Sequence, residues 1–297
     1  MTKSIDTLTQ DIYHVLDHTE EHEPNADLAA EYAMRVGGEF AKATLLRDKP
    51  REKGRLWASD IGKPCMRQHW FNFNAPELGE QLMGHTKFKF LYGNILEEAV
   101  LYMAEEAGHS VEYPQERIEI TRSMPTPNGQ TIWTVSGRID AVLDGVLIDV
   151  KSTSNFGFKR YKDGINHAND SFGYLWQLGF YKAYNNIPES IVECGFVWID
   201  KQNGHIQYTE AAVPNETEIE QRISDIVNAV DAPTSTDVPR AFSDKPYGKS
   251  GNRCLDTACS YCPFKDACWA NLRTFAYNHG PVYMTQVTRE PNVPEIK

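Results

Sequence analysis

The stretch Thr134-Val-Ser-Gly-Arg-Ile-Asp-Ala-Val-Leu-Asp-Gly-Val-Leu-Ile-Asp-Val-Lys-Ser-Thr153 decides how the rest of the chain is read. Asp144-Gly145 is the short-range signal for a two-residue hairpin turn, because both central positions of such a turn need positive φ. Apolar residues alternate on either side of it, as paired strands require. A two-residue loop fixes the register: Leu143 opposes Val146, Val142 opposes Leu147, Ala141 opposes Ile148, and Asp140 opposes Asp149. Further along the same face, Arg138 opposes Lys151. Like charges directly opposed destabilise a sheet, so two facing aspartates call for a divalent cation between them. Carboxylate oxygens suit magnesium or manganese. Lys151 lies two residues beyond Asp149 and projects from the same face. There a lysine can help activate a metal-bound water or offset charge developing on a phosphorane. A lone Asp-x-Lys in a strand is usually a solvated face; the opposed Asp140 turns the pattern toward catalysis.

A chain of 297 residues can bury a sizeable core. Its net charge of −11 argues against a protein that coats nucleic acid along its whole surface. A local basic channel remains compatible with that charge. Acidic residues crowd the N-terminus, where Lys3 is the only lysine or arginine before Arg35, whereas Lys151, Lys159, Arg160 and Lys162 follow directly on the hairpin. The N-terminus has no apolar run of the kind a secretory signal carries. No stretch approaches the ~18 apolar residues of a membrane span, and the expectation is a soluble, cytoplasmic protein with no membrane partner.

Residues 1–24 read as polar, acidic and partly mobile, with one short helix over Leu8 to Leu16. A helical pattern follows from an Asn25 cap through Leu28, Tyr32, Val36, Phe40 and Leu45, interrupted by Gly37-Gly38. A basic, breaker-containing link from Arg47 to Arg55 leads to a cap at Ser59-Asp60 and a short helix through Trp70 and Phe73. Phe88 to Ala107 is an amphipathic helix closed by Gly108. Strands are expected at Val111–Ile120, Ile132–Leu143 and Val146–Lys151, then a helix from Phe172 to Tyr184. A hairpin spans Ile191–Asp200 and His205–Ala212, Glu216–Val230 is helical, and the tail from His279 is extended. Helices before, between and after an antiparallel-biased sheet make an α/β or α+β core.

Glu97 lies on the Phe88–Ala107 helix, where it can present a third carboxylate to the sheet. Gln177 and Tyr181 are four apart and share a helical face, so an amide and a phenol could orient a lysine or contact a phosphate. Cys194 reads as a small buried hydrophobe. Of the other cysteines, Cys259, Cys262 and Cys268 form C-x-x-C with a third thiol six positions on. In a large chain without a secretory signal this clustering points to metal ligation. Cys65 and Cys254 are the candidates for a fourth ligand, and both tetrahedral zinc and a [4Fe–4S] cluster suit four thiolates.

The order Glu97, Asp140, Asp149-x-Lys151, Gln177-x-x-x-Tyr181 resembles the RecB-type branch of the PD-(D/E)XK nuclease superfamily. One early cysteine with three late ones resembles its iron–sulfur members, the AddB-type helicase–nucleases and the RecB-like exonucleases of CRISPR adaptation. The resemblance covers roughly residues 56–275, between an acidic helical extension (1–55) and a C-terminal tail (276–297). It implies a restriction-endonuclease-like core, a central mixed sheet flanked by helices. By the resemblance, Glu97, Asp140, Asp149 and the Val150 carbonyl hold Mg2+ or Mn2+, Lys151 is the catalytic lysine, and Gln177 and Tyr181 lie along the DNA strand. Cys65, Cys259, Cys262 and Cys268 hold a [4Fe–4S] cluster tying the ends of the domain together. Cys65 is followed by Met66-Arg67 where relatives more often show Pro-Arg, Cys254 is surplus, and a glutamate at 97 is also found in phage recombination exonucleases of the superfamily.

The expected activity is metal-dependent exonucleolytic hydrolysis of DNA, at ends or on single strands, in replication, recombination or repair, with a helicase or recombinase as a possible companion. The alternatives are a structure-specific endonuclease, a DNA-end adaptor of the same fold that relies on a partner for cleavage, and a zinc-stabilised protein unrelated to DNA.

Overall fold

The computed structural model describes residues 3–45, 52–187 and 193–296. In chain order its helices are α1 (Leu8–Asp17), α2 (Ala26–Leu45), α3 (Ala58–Ile61), α4 (Met66–Asn74), α5 (Gly84–Glu106), α6 (Asn155–Tyr161), α7 (Tyr174–Tyr184), α8 (Glu216–Asp231), α9 (Thr257–Ser260) and α10 (Lys265–Cys268). The strands are β1 (Arg55–Trp57), β2 (Val111–Glu112), β3 (Arg117–Thr126), β4 (Gly129–Arg138), β5 (Ala141–Leu143), β6 (Val146–Thr153), β7 (Cys194–Asp200), β8 (Ile206–Glu210), β9 (Lys245–Tyr247), β10 (Asn252–Cys254), β11 (Arg273–Tyr277), β12 (Gly280–Gln286) and β13 (Glu295–Ile296). The chain is therefore a mixed α/β protein of α+β type. None of the described helices is long and apolar enough to cross a membrane.

The central sheet runs β2-β5-β6-β7-β8, with β6 and β7 parallel and the other neighbours antiparallel. Asp144 and Gly145 take φ of 49° and 84°, and the ladder pairs Leu143 with Val146, Val142 with Leu147 and Ala141 with Ile148. One face of this sheet carries Leu147, Phe196 and Trp198 into a core shared with α7 and α8; the other carries Ile148, Val150 and Val197 into a core shared with α1 and α5. Trp198, Phe196 and Phe180 are fully buried, and each such side chain contributes roughly 1.5–3 kcal/mol of hydrophobic stabilisation.

The ladder stops at Ala141, and the two strands expected around it are each divided between two sheets. β2 and β5 belong to the central sheet, whereas β3 and β4 form a separate hairpin with β1 added parallel to β4. Arg138 therefore opposes Arg117 rather than Lys151. Pro127 and Asn128 make the two-residue turn that closes β3 and β4, beyond the last pair Thr126–Gly129. The two crossings between sheets lie side by side. The Gln115 amide donates to the Asp140 carbonyl at 3.1 Å, and the Ile139 amide donates to the Glu116 carbonyl at 3.1 Å. Tyr113 and Gln115 take φ of 52° and 60° to make the bend.

The acidic N-terminus is docked rather than mobile. Leu8 and Ile12 are buried, and the Tyr13 hydroxyl both accepts from the Ile206 amide at 2.9 Å and donates to the Gly204 carbonyl at 3.0 Å. The His109 ring bridges Asp11 and Asp144, which ties α1 to the hairpin turn. α2 runs unbroken through Gly37-Gly38 because it packs along α5: the Arg35 guanidinium lies 2.7 Å from Glu98, the Tyr32 hydroxyl donates to Glu105 at 2.6 Å, and Asn94 donates to Glu39 at 2.7 Å. Tertiary packing here outweighs the low helix propensity of glycine. The tail beyond His279 is extended but not loose, since β12 and β13 join β9, β10 and β11 in a second five-stranded sheet.

α7 is held at its start by Asp170, whose carboxylate accepts from the amides of Gly173, Tyr174 and Leu175 at 2.8–3.0 Å. Gly173 takes φ of 78°, and a Cβ there would stand 2.1 Å from the Gly62 carbonyl oxygen. Gly173→Ala should therefore cost about 3 kcal/mol or more in urea unfolding. Gly37→Ala, in a helix with nothing within 4 Å of the added carbon, should gain about 0.5–1 kcal/mol. Equal effects of the two substitutions would contradict this packing.

Candidate active site

Three carboxylates and one ammonium meet where the chain passes from the outer hairpin into the central sheet. Asp149 on β6 is 1 % exposed, and the Lys151 Nζ lies 2.5 Å from its Oδ2. Asp140 sits in the break before β5. It is not a ladder partner of Asp149; instead its Oδ2 accepts from the Val150 amide at 2.6 Å. Glu97 comes in from α5, and its Oε1 accepts from the Gln115 side-chain amide at 2.6 Å. Gln115 thus braces both carboxylate-bearing segments, by its backbone to Asp140 and by its side chain to Glu97.

Burial, then the neighbouring Asp140 and Asp149, push the Glu97 carboxyl up to about 9 against the pull of Lys151. Burial and Asp149 raise Asp140 to about 7, with Lys151 and the Val150 amide opposing. Burial also raises Asp149, although Lys151 favours its charged form. Burial alone would lower Lys151, but Asp149 and Asp140 hold it protonated well above the usual lysine range. Beyond burial, the mutual crowding of three carboxylates around one ammonium raises Glu97 and Asp140, and a divalent cation among them would favour their charged forms. The donors are hard oxygens and fit magnesium or manganese. Among the described residues, no three His, Cys, Asp or Glu side chains stand as a ready ligand set. Lys151, the Val150 amide and Gln115 occupy carboxylate oxygens instead.

Gln177 and Tyr181 do share a face of α7, and the Gln177 amide donates to the Tyr181 hydroxyl at 3.0 Å. Tyr181 is buried and feels the charges of both Asp149 and Asp140, which together with burial raise its phenol. Its ring fills the space at Gly137, where a Cβ would come within 2.6 Å of it. Both side chains line an open groove of about 410 Å³ whose other walls include Arg55, Arg117, Arg138 and Ser59. Arg138, on the exposed side of β4, makes no ion pair with the described residues. The three arginines come from segments far apart in sequence, so no local pattern announced the groove. Tyr174 was likewise missed; the Lys151 Nζ stands 5.2 Å over its ring.

Cys65, Cys259, Cys262 and Cys268 lie near enough to influence one another electrostatically. Cys65 caps α4, and Cys259 and Cys262 each feel the charges of Cys65 and Cys268; burial first, then these neighbours, push both thiols up to about 11. All six cysteines are free thiols. Cys254 stands apart, packed with Phe275, Val282 and Met284 in the second sheet. Thiolate sulfurs are soft donors of the kind that hold iron–sulfur clusters or zinc, but among the described residues no three Cys, His, Asp or Glu side chains form a metal-binding group. Around these cysteines Phe71 stacks on Phe264 at 5.3 Å, and Lys265 pairs with Glu80. Arg240 donates to the Cys268 sulfur at 3.4 Å.

Asp140→Asn removes one of the crowded charges. In metal-free buffer the variant should melt above the wild type by a few degrees, and added Mn2+ should raise the melting temperature of the wild type only. A wild type that Mn2+ does not shift would contradict a cation among these carboxylates.

The chain matches no protein-family model and no curated protein. Among solved structures it is similar to one titled "Crystal structure of SSO0001", at 14 % identity over 78 % of this chain and 93 % of that one, with a TM-score of 0.43; a likeness that loose does not fix the fold.

Proposed function

We propose that this protein is a metal-dependent DNA nuclease, an exonuclease built on a RecB-type PD-(D/E)XK core, with a [4Fe–4S] cluster on Cys65, Cys259, Cys262 and Cys268. The observation that carries this reading is the convergence of Glu97, Asp140 and Asp149 on Lys151 from three separate elements, beside a groove walled by arginines. A binding module has no use for three buried carboxylates around a lysine, since they cost stability and repel a phosphate.

Glu97, Asp140, Asp149 and the Val150 carbonyl would hold Mg2+ or Mn2+. Bound there, the ion supplies Lewis-acid polarisation of the phosphate and a water of lowered pKa. Arg55, Arg117 and Arg138 neutralise successive phosphates and lay the strand along the groove. Gln177 and Tyr181, joined by their hydrogen bond, set the reactive phosphate against Lys151. The Lys151 ammonium, paired with Asp149, would stand beside the reactive phosphate and offset charge developing on its oxygens. The thiolate cluster joins Cys65 to a segment nearly two hundred residues away, and closing so long a loop limits the unfolded chain.

The test is cleavage by anaerobically purified protein with Mg2+ or Mn2+, on end-labelled linear DNA and on closed circles, with Lys151→Ala alongside. Metal-dependent loss of linear DNA alone, reduced at least a thousandfold in Lys151→Ala, is expected. Cutting of circles would make the protein an endonuclease, and a folded protein that cleaves neither would leave the adaptor reading. The same preparation should be brown, and Cys262→Ser should lose both colour and iron; zinc in place of iron would overturn the cluster assignment.

A further inference from the structure

The bend between β2 and β3, Tyr113-Pro114-Gln115-Glu116, is more strained than its own hydrogen bonds require. Gln115 takes φ of 60°, a conformation that glycine adopts freely and asparagine tolerates, and that most other side chains resist. The bonds that shape the bend are backbone bonds. The Gln115 amide donates to the Asp140 carbonyl at 3.1 Å, the Glu116 amide to the Tyr113 carbonyl at 3.2 Å, and the Ile139 amide to the Glu116 carbonyl at 3.1 Å. A glycine at position 115 would make its own share of them without strain. What glycine lacks is the side chain, whose amide donates to Glu97 Oε1 at 2.6 Å. Asparagine is one methylene shorter than the reach this contact uses.

The backbone beneath Glu97 is already fixed. Gly93, four residues earlier on the same face of α5, packs so closely on β6 that a Cβ there would stand 3.4 Å from the Ser152 hydroxyl. The remaining freedom lies in the Glu97 side chain, which is longer by one rotatable bond than those of Asp140 and Asp149. Asp140 is held by the Val150 amide and Asp149 by the Lys151 ammonium. Among the described residues, Gln115 is the donor that holds Glu97. A carboxylate left to rotate must be ordered by whatever it binds, and that ordering subtracts from affinity.

Resting on the metal-dependent nuclease reading, we propose that Gln115 is a positioning residue for the cation: its backbone is kept in an unfavourable conformation so that its side chain fixes the Glu97 carboxylate before the metal arrives. In this role Gln115 touches neither the ion nor the DNA. It occupies one oxygen of Glu97 and leaves the other to the cation, while its backbone amide steadies Asp140. The strain therefore sits at a residue joined to two of the three carboxylates, as expected where an unfavourable φ is retained for the sake of a site. Groups that orient a metal ligand from behind change metal affinity by about 10–100-fold when they are removed, and Gln115 should act on that scale.

The experiment compares the full chain with Gln115→Gly and Gln115→Asn, both of which suit the positive φ. Three quantities are read: melting in metal-free buffer, Mn2+ binding by electron paramagnetic resonance of the free ion, and hydrolysis of bis(p-nitrophenyl) phosphate across a Mn2+ series. Both variants should melt within a few degrees of the wild type and bind Mn2+ at least about tenfold more weakly. The Mn2+ concentration for half-maximal hydrolysis should rise by the same factor, while the rate at saturating Mn2+ stays within about threefold of the wild type, because Gln115 acts on the ion's ligand and not on the reacting phosphate. A residue that served only the bend would leave Mn2+ affinity untouched in either variant, and that result overturns the proposal. So does a Gln115→Asn protein that is stable and binds Mn2+ as the wild type does, whatever the glycine variant shows. A wild type that takes up no Mn2+ refutes the metal centre and the proposal together. A wild type that binds Mn2+ with the expected variant pattern but hydrolyses neither the diester nor DNA refutes the nuclease reading and leaves the role of Gln115 in place.

Discussion

Everything at the candidate site depends on one discontinuity in the backbone, the break at Ile139-Asp140. Had the hairpin continued, Asp140 would have been a ladder residue facing Asp149, with both carboxylates fixed at sheet spacing and repelling each other directly. Instead the chain leaves the outer hairpin, and the neighbouring Tyr113–Glu116 bend leaves it alongside. The two crossings hold each other through the Gln115 and Glu116 backbone hydrogen bonds. The break turns Asp140 inward to the Val150 amide and lets Gln115 reach Glu97. A strained bend, with two non-glycine residues at positive φ, thereby collects carboxylates from a loop, a strand and a helix around Lys151.

The helix that brings Glu97 is itself held from behind. α5 is sandwiched between the central sheet and the N-terminal helices, where Arg35, Tyr32 and Glu39 engage Glu98, Glu105 and Asn94. The acidic N-terminal residues are thus part of the frame that positions the site. On the far side, the Phe71–Phe264 stack joins α4 to the cysteine segment, and the Lys265–Glu80 pair joins that segment to the chain just after α4. These two segments, far apart in the sequence, therefore meet through aromatic stacking and an ion pair.

Much of this was legible in the sequence because it is local. The Asp144-Gly145 turn, its three-pair register and the Gln177–Tyr181 face all follow from spacing within an element. What was not legible is where a continuous strand pattern changes sheets. Alternation runs unbroken through Arg138-Ile139-Asp140, so the strand expected over Ile132–Leu143 concealed the division between β4 and β5, and with it the true position of Arg138. The groove arginines and Gln115 escaped for a related reason, since each is an ordinary loop or strand-edge residue until the two sheets place it beside the site. The division of labour between Cys65 and Cys254 is likewise tertiary: both could supply a thiol, and only packing sends Cys254 into a different core.

The most direct measurement is anomalous diffraction from crystals of the protein grown with Mn2+. A single strong peak among Glu97, Asp140, Asp149 and the Val150 carbonyl is expected, with the Lys151 ammonium drawn off the Asp149 oxygen it now contacts. A map with no peak there, or with manganese only on surface carboxylates while the Asp149–Lys151 pair stays closed, would contradict a catalytic metal centre at this break in the sheet.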